Sequence, residues 1–220
     1  TPFDPIYMHA LKDIYLIRHG ETDYNRMGVV QGSGIDADLN ELGNRQAQAF
    51  FEHYQDLALD KIYTSALRRT HQSVKGFIDK GLPWEQYEGL NEISWGIREG
   101  RTPSNEDDAY YRNLVRTWRT GDVHIPSEEG ESPIDVLERQ KPVIELILSR
   151  REEKSILIAM HGRAMRVLLT HLFNQPLQNM DHFAHQNLCL YHLQYDYEKG
   201  IFISLKANHA DHLQTLPDSI

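Results

Sequence analysis

One cysteine, Cys189, occurs in 220 residues. With no second thiol, no intrachain disulfide can form, metal sites built on paired cysteines are excluded, and a reducing compartment is the simplest setting. Long hydrophobic runs are missing too. No stretch approaches the roughly 18 apolar residues that cross a bilayer, and the N-terminus has no basic segment leading into an apolar one and a cleavage site. No membrane partner is therefore expected, and cytoplasmic localisation is the default reading; the start, Thr1-Pro2, lacks methionine, as at a processed or trimmed end. A basic excess is also absent. The formal charge is -9, whereas wrapping a phosphate backbone requires a dense basic surface, so no nucleic-acid partner is expected. Holding one anion in a local pocket is a separate matter, because a few arginines suffice. There is no Gly-Lys-Ser/Thr for a nucleotide-binding loop, Gly32-Ser33-Gly34 is too short for a dinucleotide fingerprint, and no Gly-x-Ser-x-Gly elbow supports a serine hydrolase.

What is present suits a folded α/β protein. Hydrophobic residues make up 40% of the chain and charged residues 25%, which is ordinary globular usage and sufficient for a sizeable core. Residues 12–18, 60–65 and 155–160 are short, continuously apolar runs, as expected of strands covered on both faces. Residues 188–196 and 201–208 flank Glu198-Lys199-Gly200 like an antiparallel hairpin, and 84–90 suggests an edge strand. Helical patterns alternate with them. One is capped by Asn40, one follows Ser65 toward Lys80, and one starts at Ser132 with Pro133 in the first turn and Asp135 completing a capping box. Pro142 predicts a kink in that third helix, and a fourth opens at Gly162. The expected architecture is a three-layer sandwich, a mainly parallel central sheet with helices on both faces. Residues 96–130 break the alternation with charged and turn residues around Trp95, Tyr110, Tyr111 and Trp118, and read as a small helical cap insertion in a single domain spanning 1–220.

Ligands of an open parallel sheet bind beyond the carboxyl ends of its strands. Those positions hold Arg18 and His19, Arg69 one turn into the next helix, and His161. Two histidines and two arginines at strand ends, each histidine followed by glycine, suit phosphoryl transfer from a dianionic ester. Guanidinium groups match phosphate oxygens and stay charged, neutral imidazole is a competent nucleophile for phosphorus, and helix N-termini add backbone donors. A proton must also reach the leaving alkoxide. Glu88 and Glu92 are both available for that, and composition does not choose between them.

This arrangement resembles the histidine phosphatase, or phosphoglycerate mutase-like, superfamily over nearly the whole chain. The motifs that carry the resemblance are Arg18-His19-Gly20-Glu21-Thr22 with Asn25; Gln31-Gly32; Gly43, Gln46 and Ala47; Thr64-Ser65-Ala66-Leu67-Arg68-Arg69; Leu90-Asn91-Glu92-Ile93; Gly130-Glu131-Ser132; and His161-Gly162-Arg163-Ala164-Met165-Arg166. The resemblance implies that His19 is the phosphorylated nucleophile, that Arg18, Arg69, His161 and Asn25 bind the phosphoryl oxygens, and that Glu92 rather than Glu88 is the proton donor. Thr22, Gln31, Gly32 and Gly162 are implied as substrate-binding positions, with no metal and no cofactor. Arg163 stands where the family motif has a second glycine, a departure expected to narrow the pocket mouth.

The expected activity is metal-independent hydrolysis of a small-molecule phosphate ester through a phosphohistidine. The resemblance also implies hydrolysis in preference to mutase-type transfer, because the 38 positions from Glu92 to Gly130 make a shorter cap than the insertion of the family's cofactor-dependent mutases, and a short cap favours water access. Fructose-2,6-bisphosphatase-like activity and an inactive phospho-ligand-binding scaffold are the alternatives, and a homodimer is compatible with the sequence. Arg112, Arg116 and Arg119 at helical spacing read first as a solvated basic face, with a second phosphate or carboxylate as the other reading. Asp181, His182 and His185 read as surface or structural residues in preference to metal ligands.

Overall fold

In the computed structural model, which describes residues 11–216, the strand β1 (Leu11–Arg18) sends alternate side chains to opposite sides. Ile14 and Leu16 enter one core, while Tyr15 and Ile17 meet the other. The same alternation runs along β4 (Ser155–Met160), with Ile156, Ile158 and Met160 on one side and Leu157 and Ala159 on the other. A strand apolar on both faces must be covered on both, and each fully buried Ile or Leu contributes about 1.5–3 kcal/mol relative to exposure. The limits expected at residues 1 and 220 lie outside the described residues.

The first side is covered by α5 (Asn105–Arg119), α6 (Pro133–Ser149) and α7 (Gly162–Leu172), which bring Trp118, Val136, Ile147 and Leu168. The second is covered by α2 (Glu41–Tyr54), α3 (Arg68–Ser73) and α4 (Lys75–Asp79), with Phe50, Val74 and Phe77. Between them lies a six-stranded sheet with β2 (Lys61–Thr64), β3 (Trp84–Gln86), β5 (Leu190–Asp196) and β6 (Ile201–His209) in the order β3-β2-β4-β1-β5-β6. The strands β3, β2, β4 and β1 run parallel, and β5 and β6 form the antiparallel hairpin at the other edge. The expected three-layer α/β sandwich is the observed fold.

Local chemistry sets the element ends. Asn40 accepts the Gly43 amide at 2.9 Å to cap α2. Ser132 and Asp135 form the expected capping box on α6, with Pro133 at its first position. That helix continues through Pro142 to Ser149. The helix expected after Ser65 divides at Val74 into α3 and α4. Ser73 at the break bonds back to the Arg69 carbonyl at 2.6 Å and accepts the Gly20 amide at 2.9 Å. A β-branched residue followed shortly by Gly76 gives the chain little reason to continue as one helix. The edge strand is shorter than expected, because Glu88–Leu90 turn into a 3-10 helix. A short helix that the sequence pattern does not announce, α1 (Asp23–Met27), starts at Thr22.

The cap holds a 3-10 turn at Gly96–Arg98 and α5, whose Ser104 accepts the Asp107 amide. Trp95, Tyr110 and Trp118 join the core on the first side of the sheet. Trp118 is fully buried and donates to the Ile125 carbonyl at 2.7 Å, and Trp95 lies 5.8 Å from it and 5.4 Å from Tyr111. Among the described residues no helix is long and apolar enough to cross a membrane.

Candidate active site

Three adjacent parallel strands, β2, β4 and β1, end side by side, with Thr64 opposite Ala159 and Met160 opposite Arg18. The residues that follow them, Ser65, His161 and His19, are therefore neighbours. The rings of His19 and His161 are 5.2 Å apart. The Nε2 of His161 is 2.8 Å from the Ser65 hydroxyl, and Nδ1 of His19 is 2.6 Å from the Gly20 carbonyl. A carbonyl only accepts, so His19 Nδ1 carries the proton and Nε2 keeps its lone pair.

Burial, reinforced by Arg69 and Arg18, holds His19 well below the usual histidine range, and burial together with Arg69 and His19 does the same to His161. Both rings are neutral at physiological pH. Arg69 is fully buried and donates to the carbonyls of Ile35 at 2.6 Å and Gly32 at 3.2 Å. Burial pulls it down to about 10, against the support of Glu92 and Asp36, so it remains a cation. Arg18 is also lowered by burial. The Nε donors of Arg18 and Arg69 and His161 Nδ1 have no hydrogen-bond partner among the described residues.

Glu92 is 8% exposed, and its carboxylate spans the start of α7. Oε1 accepts the amides of Ile93 and Ala164, each at 2.9 Å, and Oε2 accepts that of Arg163 at 3.1 Å. An acid at a helix N-terminus meets unpaired amides and the positive end of the dipole. Glu88 instead lies at the start of the 3-10 turn before it. Arg139 of α6 fixes the approach to Glu92 by donating to the carbonyls of Gly89, Asn91 and Glu92 at 2.9–3.0 Å while pairing with Glu131 at 2.8 Å.

Thr22 is fully buried and, with Asn25, forms the capping box of α1. Its hydroxyl is 3.1 Å from Gln31 Oε1. Gly32 is squeezed against Glu99, whose carboxylate oxygen would lie 2.1 Å from any Cβ added there. Glu99 accepts the Trp95 amide at 2.9 Å, and burial raises its carboxyl. Gly162 starts α7 under the ring of His185, with only 2.6 Å available between an added Cβ and that ring. Arg163 does not stand free in a pocket mouth. It is 5% exposed, is held by Asp181 at 2.6 Å and the Tyr111 hydroxyl at 2.9 Å, and lies 5.6 Å from the Trp118 ring, tying the cap to α7.

The arrangement is a neutral imidazole, His19, beside a second imidazole and under the influence of two guanidinium groups, with the Glu92 carboxyl at the start of α7 after the second histidine. The match to the histidine phosphatase superfamily (branch 1) covers residues 14–208. The chain belongs to the histidine phosphatase superfamily. Among curated relatives, the 6-phosphofructo-2-kinase/fructose-2,6-bisphosphatase of Gallus gallus is 31% identical over 88% of this chain and 40% of its own length. The Rattus norvegicus 6-phosphofructo-2-kinase/fructose-2,6-bisphosphatase 3 is 33% identical over 77% of this chain and 29% of its own. The chain thus spans well under half the length of either. A solved mycobacterial glucosyl-3-phosphoglycerate phosphatase superposes with a TM-score of 0.77 at 27% identity, covering 90% of this chain and 99% of that one.

Several residues around this candidate site of a histidine phosphatase superfamily member are not read from the sequence in these roles. Ser65 orients His161, Arg139 holds the Glu92 loop, and Glu99 packs against Gly32. His185, read as a surface or structural residue, lies among Arg18, Arg166 and Arg163; burial and these charges push it down to about 2. Asn187 is fully buried and donates to the His19 carbonyl at 3.0 Å. The carboxylate of Asp181 is taken up by Arg119, Arg163 and Arg166, which suits a structural residue. Arg112 and Arg116 are exposed on α5, as a solvated basic face requires.

Proposed function

We propose that this chain is a metal-independent phosphomonoesterase that hydrolyses a small phosphorylated metabolite through a phosphohistidine on His19. The observation that carries the reading is the His19 ring, neutral, with its proton fixed on Nδ1 and flanked by Arg18, Arg69 and His161. In the first step the Nε2 lone pair attacks phosphorus, a nitrogen–phosphorus bond forms, and the ester oxygen departs with its bonding electrons. Arg18, Arg69, His161 and the Asn25 amide take the charge on the phosphoryl oxygens, since such a transfer is catalysed chiefly by positioning and electrostatic stabilisation. Glu92 gives its proton to the departing alkoxide. Oε2, which accepts one amide where Oε1 accepts two, has the free capacity to carry that proton.

In the second step water attacks phosphorus, Glu92 takes a proton from it, and the nitrogen–phosphorus bond breaks to return neutral His19 and orthophosphate. The cap is built on one fifteen-residue helix, and its shortness supports hydrolysis over mutase transfer. The relatives' names both describe sugar-containing phosphate esters, so fructose 2,6-bisphosphate and glucosyl-3-phosphoglycerate head the substrate panel, with 3-phosphoglycerate as the mutase control. A reducing, cytoplasmic setting fits the single buried cysteine.

The test is turnover of p-nitrophenyl phosphate and of the panel in excess chelator. The wild type is expected to turn over and His19→Ala to show none. Full activity in His19→Ala would remove the nucleophile, and activity that chelator abolishes and added metal restores would remove metal independence.

A further inference from the structure

Asn187 lies just before β5, on the far side of β1 from the second histidine. Because β5 runs antiparallel to β1, its beginning sits at the end of the sheet where β1 finishes, with Leu190 opposite Ile17. The Asn187 side chain is fully buried. Its Nδ2 donates to the His19 carbonyl at 3.0 Å and to Asn25 Oδ1 at 3.3 Å. The next residue, Leu188, holds φ at 56°, and its amide donates to the carbonyls of Arg18 at 3.0 Å and His19 at 3.4 Å. His212 secures the Leu188 carbonyl at 2.7 Å. The loop is thus pinned at Asn187 and at Leu188 after it.

These contacts leave no freedom in how the two amides face each other. The His19 carbonyl can only accept, so Asn187 must present its NH2 group there. With that group turned inward, the atom of Asn25 that meets it must be the oxygen. The Thr22 amide makes the same demand independently, donating to Asn25 Oδ1 at 3.1 Å. The Thr22 hydroxyl lies 3.2 Å from the same Asn25 Oδ1 and 3.1 Å from Gln31 Oε1, and its single proton serves one of the two at a time.

We infer that Asn187 is a positioning residue for phosphoryl recognition: it locks the Asn25 carboxamide with the oxygen held by the protein and the NH2 group left as the donor to the substrate's phosphoryl oxygens. The inference rests on the reading of Asn25 as a phosphoryl-binding residue. Without Asn187 the Thr22 amide alone holds the Asn25 oxygen, so the carboxamide is less firmly kept with its NH2 group, rather than its oxygen, toward an anion. A role confined to stability would lower the melting temperature without altering what Asn25 does.

The test is a double-mutant cycle on orthophosphate inhibition, with the melting temperature recorded for each variant. Asn187→Ala is expected to weaken orthophosphate about tenfold, the size of one charged hydrogen bond, and Asn25→Ala at least as much. The double variant is expected to be no worse than Asn25→Ala by more than about twofold, because the second change removes an aid to a group already gone. If Asn187→Ala does not fold, Asn187→Ser, too short to reach Asn25, takes its place in the same cycle. Losses that multiply, or wild-type orthophosphate binding in the folded Asn187 variant, would overturn the inference alone. Wild-type binding in Asn25→Ala would overturn the phosphoryl-site reading and the inference with it.

Discussion

Glu92 serves two ends with one carboxylate, and the two can be separated by substitution. Its oxygens accept three backbone amides around the start of α7, and the same group is the proposed acid and base. Glu92→Gln keeps a carbonyl for two of those amides but turns an NH2 group toward the third, or the reverse, so about 1–3 kcal/mol of stability should be lost. The chemical loss depends on the ester. An alkyl phosphate needs its leaving oxygen protonated and should lose about a hundredfold to ten-thousandfold in kcat, whereas p-nitrophenyl phosphate, with an acidic leaving group, should lose far less. Steady-state kinetics on the two esters reads the ratio. Equal losses would assign Glu92 to structure alone. At this scale the sequence names His19, His161, Arg18 and Arg69 directly, because each sits a fixed step beyond an apolar run. Glu92 and Glu88 stay indistinguishable until motif or structure separates them, since nothing in either side chain's own neighbourhood marks it.

The elements explain what could be read and what could not. Strands that are apolar on both faces announce themselves, and the rule that ligands lie beyond their carboxyl ends finds the residues after β1 and β4. That rule looks the wrong way on β5. Antiparallel to β1, it brings the residues before it to the site, so His185 and Asn187 escape a search of strand ends even with the hairpin correctly recognised. Helix contributions are similarly hidden. Arg139 lies within α6, outside the motifs themselves, and reaches three carbonyls of the Glu92 loop only because that helix packs against the 3-10 turn at Glu88–Leu90. Arg139→Lys keeps the charge but not the planar fork that serves Glu131 and three carbonyls together. It should lower kcat about tenfold through a looser Glu92, with the deficit larger on poor leaving groups than on p-nitrophenyl phosphate. Kinetics on both esters checks this, and a uniform loss across them would assign the effect to general destabilisation.

Taken as a whole, the molecule carries a net charge of -9 yet gathers its buried histidines in surroundings that keep them uncharged. His19 and His161 lie well below the usual range, His185 is near 2 and His212 near 4, each chiefly through burial. In the unfolded chain the same rings take a proton near pH 6.5. Above that pH neither state binds it and the stability is whole. As pH falls below 6.5 the unfolded state gains protons that the native state refuses, so stability drops, by up to about 1.4 kcal/mol per pH unit for each fully buried ring. The loss continues until the native value of each group is passed. Between pH 6.5 and 5 the carboxylates lowered by their partners, Asp181, Asp107, Asp196 and Glu85, remain ionised folded or unfolded and add no slope. Glu99, raised by burial, acts in the opposite direction as pH falls and offsets part of the histidine effect. Urea midpoints should therefore fall steadily from pH 6.5 to 5, and His212→Gln, which keeps a donor toward the Leu188 carbonyl without a titrating ring, should reduce that slope. Orthophosphate at saturation should raise the midpoint at every pH by binding only the folded state. A flat midpoint across this window would mean that the buried rings accept protons in the native state, and with them the neutral His19 on which the nucleophilic step depends would be lost.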